Sequence, residues 1–243
     1  MKNLITVSIL FFLSIQLNAQ GLKGLANKAA DIKKEVLGTG GGLSAEEIAA
    51  GLKEALNKGT NKATEALAKP DGFYKNAAYK ILMPPEVQKV ETTLRKIGLA
   101  KLADDFILSM NRAAEDAVST AGPIFVQAIK EMTIQDGIKI LRGRENEATE
   151  YLKLKTSEQI RAKFSPIIQA SLEKTKTLDY WDKIAKAYNA VPFGQKTVDP
   201  DLVGYVTQKG LDGIFSEVAA EEKAIRTNPA ARTTEILKKT FGL

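Results

Sequence analysis

Neither cysteine nor histidine occurs anywhere in the chain, and the two absences remove most of the usual reaction chemistry. Without imidazole or thiol there is no Ser-His-Asp triad, no Cys-His dyad, no His- or Cys-ligated zinc and no disulfide. Any chemistry must run on carboxylates, Lys, Arg, Tyr or hydroxyls, and no metal or cofactor site is expected. A strong excess of one charge is also lacking, with 35 Lys plus Arg against 29 Asp plus Glu. Basic residues alternate with acids, as in Lys53-Glu54 and Glu222-Lys223, whereas nucleic-acid binders gather Lys and Arg on one face. No nucleic-acid partner is therefore expected. Beyond the first residues no apolar run approaches the ~20 residues that span a bilayer. What remains, 44% hydrophobic and 26% charged over 243 residues, is ordinary globular composition, and a chain of this length buries enough surface to fold without a covalent staple.

Residues 1–19 read as a secretory signal. Lys2 gives the positive start, Leu4 to Leu17 the apolar stretch and Asn18-Ala19 the small-residue exit, with cleavage expected between Ala19 and Gln20. The expected address is the periplasm or the cell exterior. Leu17 is bulkier than the residue preferred near such a cut, which leaves an uncleaved anchor as the competing reading. Residues 20–43 hold a basic amphipathic segment, Leu22, Leu25, Ile32 and Val36 at helical spacing among Lys23, Lys28, Lys33 and Lys34, ending in the tether Gly38 to Gly42. From Leu22 to Leu37 it has the character of a peripheral membrane contact, or of a short helix resting on the main body.

From residue 44 to 243 the pattern is that of one all-α domain, a bundle of about ten to twelve helices with no sheet. The spacing predicts helices near 45–68, 73–81, 85–97, 99–120, 123–131, 134–142, 145–155, 157–164, 166–175, 178–190, 200–226 and 229–241. Ser44 with Glu47, Thr156 with Gln159 and, more weakly, Thr133 with Asp136 have capping-box spacing. Ser165-Pro166 and Asn228-Pro229 read as caps followed by proline at the first helical position. Gly98, Gly143 and Gly242 stand where helices stop, and Pro84-Pro85 forces a break after Leu82.

Several runs resemble one bacterial family. Ser109-Met110-Asn111-Arg112-Ala113-Ala114-Glu115-Asp116-Ala117, Pro123-Ile124-Phe125, Ala148-Thr149-Glu150-Tyr151-Leu152 and Asn228-Pro229-Ala230-Ala231-Arg232-Thr233-Thr234 are similar to the family catalogued as domain of unknown function 4197, from about Gly42 to Leu243. The resemblance implies an exported helical protein and supplies no catalytic residue.

Near 99–120, Leu99, Leu102, Ala103, Phe106, Met110, Ala113 and Ala117 share one stripe. Asp105, Ser109, Arg112 and Asp116 line its edge, and Asp104, Asn111 and Glu115 fall on the far side. Arg112 is expected to pair with Asp116, and with Asp105 only through a bent geometry. This edge reads either as the mouth of a groove or as an ion network that docks neighbouring helices. On 200–226 the stripe Val203, Thr207, Leu211, Ile214, Val218 and Ile225 contains Glu221, with Glu222 at its border. A core-facing carboxylate needs a partner, and Arg226 and Arg232 are the expected ones. Gly204, Gly210 and Gly213 in the same helix indicate close packing. Tyr180, Trp181, Tyr188 and Phe193 concentrate rings in one stretch, read as core or as a ligand platform.

Three functions remain open. The first is a non-enzymatic binding protein, for an unknown partner protein, using the groove beside Arg112 and the C-terminal helices; Arg112→Ala is then expected to impair capture more than folding. The second is a carrier of a small apolar or lipid-like ligand in an internal cavity of roughly 300 Å³ or more. The third is a hydrolase using two of Asp105, Asp116 and Glu221. The oligomeric state is left open.

Overall fold

The computed structural model describes residues 44–189, 199 and 201–241; residues 1–19, expected to be a secretory signal, the Leu22 to Leu37 segment, Phe193 and Gly242 lie outside the described residues. Every regular element is helical, and no strand occurs among the described residues. The helices are α1 (Ala45–Ala68), α2 (Gln88–Lys96), α3 (Ala100–Val118), α4 (Ala121–Glu131), α5 (Ile134–Arg142), α6 (Glu147–Lys174), α7 (Thr177–Asn189), α8 (Leu202–Thr227) and the short α9 (Glu235–Phe241), with 3₁₀ turns at Pro85–Val87 and Pro229–Ala231. Eight of these α-helices have nine residues or more, fewer than the ten to twelve expected.

Two stretches account for most of the shortfall, and the shortness of α9 for the rest. The segments expected at 145–155, 157–164 and 166–175 are one continuous helix, α6. Its residues Ala148, Leu152, Thr156, Ile160, Phe164, Ile168 and Leu172 recur every fourth position and are all buried. A four-residue step overshoots one helical turn by ~40°, so the stripe winds around the helix and meets different neighbours along its length. Burial of that stripe overrides the stop signals. Thr156, expected to cap a new helix with Gln159, instead donates its hydroxyl back to Leu152 O at 2.6 Å, and Pro166 stands inside the helix.

The segment expected as a helix at 73–81 is a run of turns. Pro70 ends α1, and Asp71 takes a left-handed conformation with φ of 70°, which redirects the chain before a helix can start. Asn76 Oδ1 then accepts the N–H of Ala78 at 3.0 Å, a local turn that competes with helix. Pro84 and Pro85 close the segment and open the 3₁₀ turn.

Some of the other punctuation is visible in the structure, although the helix expected over 229–241 is the 3₁₀ turn Pro229–Ala231, then irregular chain, and only then α9. Thr133 and Asp136 form a complete capping box at the start of α5, Asn228 accepts from Ala230 N–H ahead of Pro229, and Gly98 has φ of 85° just past α2. The interior is one large cluster in which α3, α6 and α8 pack together, with Phe73, Phe125, Phe164 and Met110 among its fully buried side chains. Close packing explains two of the three glycines of α8: a Cβ at Gly213 would lie 2.6 Å from Phe73 Cε1, and one at Gly210 would touch the Phe164 ring at 3.5 Å, whereas one at Gly204 would meet the capping Asp201 side chain.

Tyr79, in the turn segment, reports on how this segment is held. Burial and a hydrogen bond with Glu217 push its phenol up to about 12 from an ordinary 10. A raised folded-state value favours the protonated form, so its stabilisation is full below pH 10 and is lost as the pH rises toward 12. Tyr79→Phe is expected to flatten stability over that interval in alkaline urea titrations and, by losing the hydroxyl's bond to Glu217, to cost about 1 kcal/mol at pH 7.

Candidate functional site

The edge of α3 does form a groove. An open depression of about 390 Å³ runs between α3 and α7, and Asp105, Ser109 and Arg112 all line it. Leu102, Phe106 and Leu108 from α3 and Tyr180 from α7 supply its apolar surface. Phe106 packs on buried Trp181 beneath it, ring centroids 6.0 Å apart, so Trp181 is core as one of its two readings had it, whereas Tyr180 is exposed. The side chains of Tyr188 and Phe193 are outside the described residues.

One wall of the groove is tied by hydroxyls. Thr177 donates to Ser109 Oγ at 2.7 Å, Ser109 donates to Phe106 O at 2.8 Å, and Thr175 meets Thr177 at 2.7 Å. This chain fixes the α6–α7 turn, where Lys176 adopts φ of 56°, against α3. At the outer end Ile97, Leu99 and Leu102 are exposed around the α2–α3 turn. Leu99 and Leu102 were expected in the core stripe. They lie at the start of α3, Leu99 as its N-cap and Leu102 in its first turn, while Ala103, Phe106, Met110, Ala113 and Ala117 are buried as expected.

The ion pairs differ from those expected. Asp105 is paired with Lys101 at 2.8 Å, and Asp116 accepts from the Ser171 hydroxyl at 3.2 Å outside the groove. Arg112 bonds neither. Its guanidinium donates to Glu115 Oε2 at 2.5 Å and Asp71 Oδ1 at 2.6 Å, which raises its own pKa further, Glu115 being the larger cause. Lys75 first and Arg112 second hold the Asp71 carboxyl below its ordinary value. Arg112 is thus a positioning group for residues 70–83, and Arg112→Ala is expected to loosen that segment, contrary to the sequence expectation.

The far side of α3 is the better-organised polar surface. Asn111 and Glu115, expected to face away from the core, are 0% and 3% exposed. Glu115 Oε1 accepts the N–H groups of Phe73 at 3.0 Å and Tyr74 at 3.1 Å. Asn111 accepts Ile81 N–H at 2.8 Å and donates to Ile81 O at 2.8 Å and Ile107 O at 2.7 Å. Within the turn segment Lys75, Asn76, Tyr79 and Lys80 donate to nearby carbonyls, and these two side chains satisfy the backbone groups of Phe73, Tyr74 and Ile81.

Glu221, Arg226 and Arg232 belong to a second cluster, remote from the groove in its contacts. Glu221 pairs with the surface Lys62 at 2.7 Å, and the buried carboxylate is Glu222. Glu222 accepts Ala148 N–H at 3.0 Å, Thr149 N–H at 2.9 Å and the Thr149 hydroxyl at 2.8 Å, which places its charge on the free amides that begin α6. Arg226 pairs with it at 2.8 Å and donates onward to Ile140 O at 2.8 Å, near the carbonyl end of α5. Arg232 donates to Ile225 O at 3.0 Å and Arg226 O at 2.8 Å, finishing α8 in the same manner. Glu222, Arg226 and Arg232 are helix caps, whereas Glu221 makes a surface pair.

The carrier and hydrolase readings find less support. The apolar cavity between α1 and α8 holds about 20 Å³, room for about one water against the several hundred Å³ a carrier needs. The hydrolase reading needs two converging carboxylates, yet Asp105, Asp116 and Glu221 each engage a different partner on a different element. No cluster of three metal-binding acids occurs among the described residues, and no helix there is long and apolar enough to cross a membrane.

No curated protein and no solved structure matches the chain. A family model does, over residues 42–242, covering all the helices and both polar clusters. The chain therefore belongs to the family described as protein of unknown function (DUF4197).

Proposed function

We propose that this chain is an exported, non-enzymatic binding protein that engages a partner protein through the groove between α3 and α7. The observation that carries the reading is the composition of that groove: exposed Tyr180 and Leu102 flank a polar floor at Ser109, and exposed Leu99 and Ile97 extend the apolar surface beyond its end. Interfaces of this kind bury an aromatic anchor inside a rim of hydrogen-bonding groups. The signal-like residues 1–19 support export, to the periplasm or the cell exterior.

The test places a photoreactive phenylalanine analogue at Tyr180 of the full chain in its native host. Leu154, 84% exposed on α6, serves as the control position. A discrete adduct is expected from position 180, absent from 154 and lost when Leu102→Asp is added without a change in melting temperature. Identical adducts at both positions, or none at 180, would overturn the reading.

A further inference from the structure

The C-terminal helix is attached differently from the rest of the fold. Leu237 of α9 packs with Ala55 and Ile225 in a small cluster of its own, and of the residues of α9 only Phe241 also reaches the main core. Thr240 is 1% exposed, yet its hydroxyl has no hydrogen-bond partner. It presses on Gly51 of α1, where any Cβ would collide with it. Beside Phe241 lies the cavity of about 20 Å³, bounded by Leu52, Leu56 and Gly59 of α1 and Val218 of α8. The lead-in from 228 to 234 is a 3₁₀ turn and irregular chain, held by Arg232 to the end of α8 and by a contact between Lys58 and the Thr233 hydroxyl. A seven-residue helix does not hold its shape alone in water, so α9 is helical because of the face it covers.

We infer that residues 228–241 form a latch that opens while the rest of the domain stays folded, and that the α1–α8 face beneath it is a helix-binding site. The occupant it fits is an amphipathic helix of the α9 type, with Leu and Phe on one side and Lys on the other. In cis that occupant is α9. In trans it is a partner helix with a fuller apolar face. Tethered α9 competes at an effective concentration in the millimolar range, so the partner helix must bind better than α9 does. The means are visible in the imperfect fit: a residue without the stranded hydroxyl at the position of Thr240, and bulk that fills the neighbouring cavity. The local stability of such a unit lies below that of the whole fold, as in other terminal elements with few buried contacts. The inference rests on this C-terminal contact and is independent of the α3–α7 groove.

Three measurements on the full-length chain decide it. In native-state hydrogen exchange of the unaltered protein, amides of 236–241 are expected to exchange at least ~10-fold faster than those of α3 and α6; equal rates overturn the latch. Because the chain has no cysteine, the pair Gly51→Cys and Thr240→Cys can form a single defined lock, the two Cβ positions being 3.3 Å apart, slightly short of the usual disulfide spacing and within reach of a small shift of α9. Oxidation is expected to slow 236–241 to the core rate, and continued fast exchange in the oxidised form overturns the latch. Finally, a fluorescent synthetic peptide of residues 229–243 carrying Thr240→Ala is expected to bind full-length Leu237→Asp saturably and to ignore the oxidised pair. Equal binding to both, or none to Leu237→Asp, overturns the helix site. Loss of the cooperative melting transition in Leu237→Asp overturns the independence of the latch.

Discussion

Replacing Glu115 with alanine is expected to lower the unfolding free energy by about 2–5 kcal/mol, measured by urea denaturation at pH 7. The loss has two parts of unequal weight. Arg112 is 38% exposed on its side chain, so its lost ion pair is partly replaced by water and contributes little. The larger part comes from the N–H groups of Phe73 and Tyr74, which face a 3%-exposed carboxylate and would be left without an acceptor, at about 1–3 kcal/mol each. Glu115→Gln keeps an oxygen for those amides and is expected to recover part of the loss. Hydrogen exchange should show the damage first in residues 70–83. A loss below about 1 kcal/mol would mean that this segment is held by Asn111 and the Phe73 ring alone.

Glu222→Ala is expected to cost about 3–5 kcal/mol, the magnitude for removing one partner of a buried ion pair. Here the pair is buried on both sides, 13% exposed at Arg226 and 6% at Glu222. The alanine leaves the first amides of α6 uncapped and Arg226 desolvated without a counter-charge. Arg226→Met exposes the complementary fault, a buried carboxylate held only by two amides and a hydroxyl. The double variant removes both charges together, so its loss is expected to fall short of the sum of the single losses by about 1–3 kcal/mol. Strict additivity in this cycle would show that Glu222 acts on α6 and Arg226 on α5 independently.

How much of this was legible in the sequence depends on which neighbours a residue answers to. The all-helical class and the boundaries of α1, α3, α5 and α8 follow from local spacing and from caps such as Thr133-Asp136, because those signals act within one turn. The groove at Asp105, Ser109 and Arg112 was legible for the same reason: three edge positions of one helix stay together wherever the helix goes. Asn111 and Glu115 were read as outward because a helical wheel assigns one apolar stripe, and nothing in α3 itself announces that residues 70–83 cover its other side. The clue was the segment they hold, whose Pro70-Asp71-Gly72 start and double-proline end argue against a helix that periodicity alone allows. Glu222 was displaced by Glu221 for a smaller reason. A stripe extended over five turns accumulates enough angular drift to exchange adjacent residues, and the four-residue spacing from Glu222 to Arg226 was the sounder guide. The long α6 was divided because Thr156 and Ser165-Pro166 are genuine stop signals, overridden only by the winding row of buried side chains from Ala148 to Leu172.

The Glu222 cluster also constrains the order of assembly during synthesis. Its carboxylate reaches back across 73 and 74 residues to the start of α6, and Arg226 reaches 86 residues back to Ile140. A ribosome extends the chain from the N-terminus, so the α5–α6 corner is complete in sequence long before the groups that finish it exist. Until α8 has emerged the corner has frayed ends and the partly made chain stays open. Closure therefore waits until the chain is complete through α8.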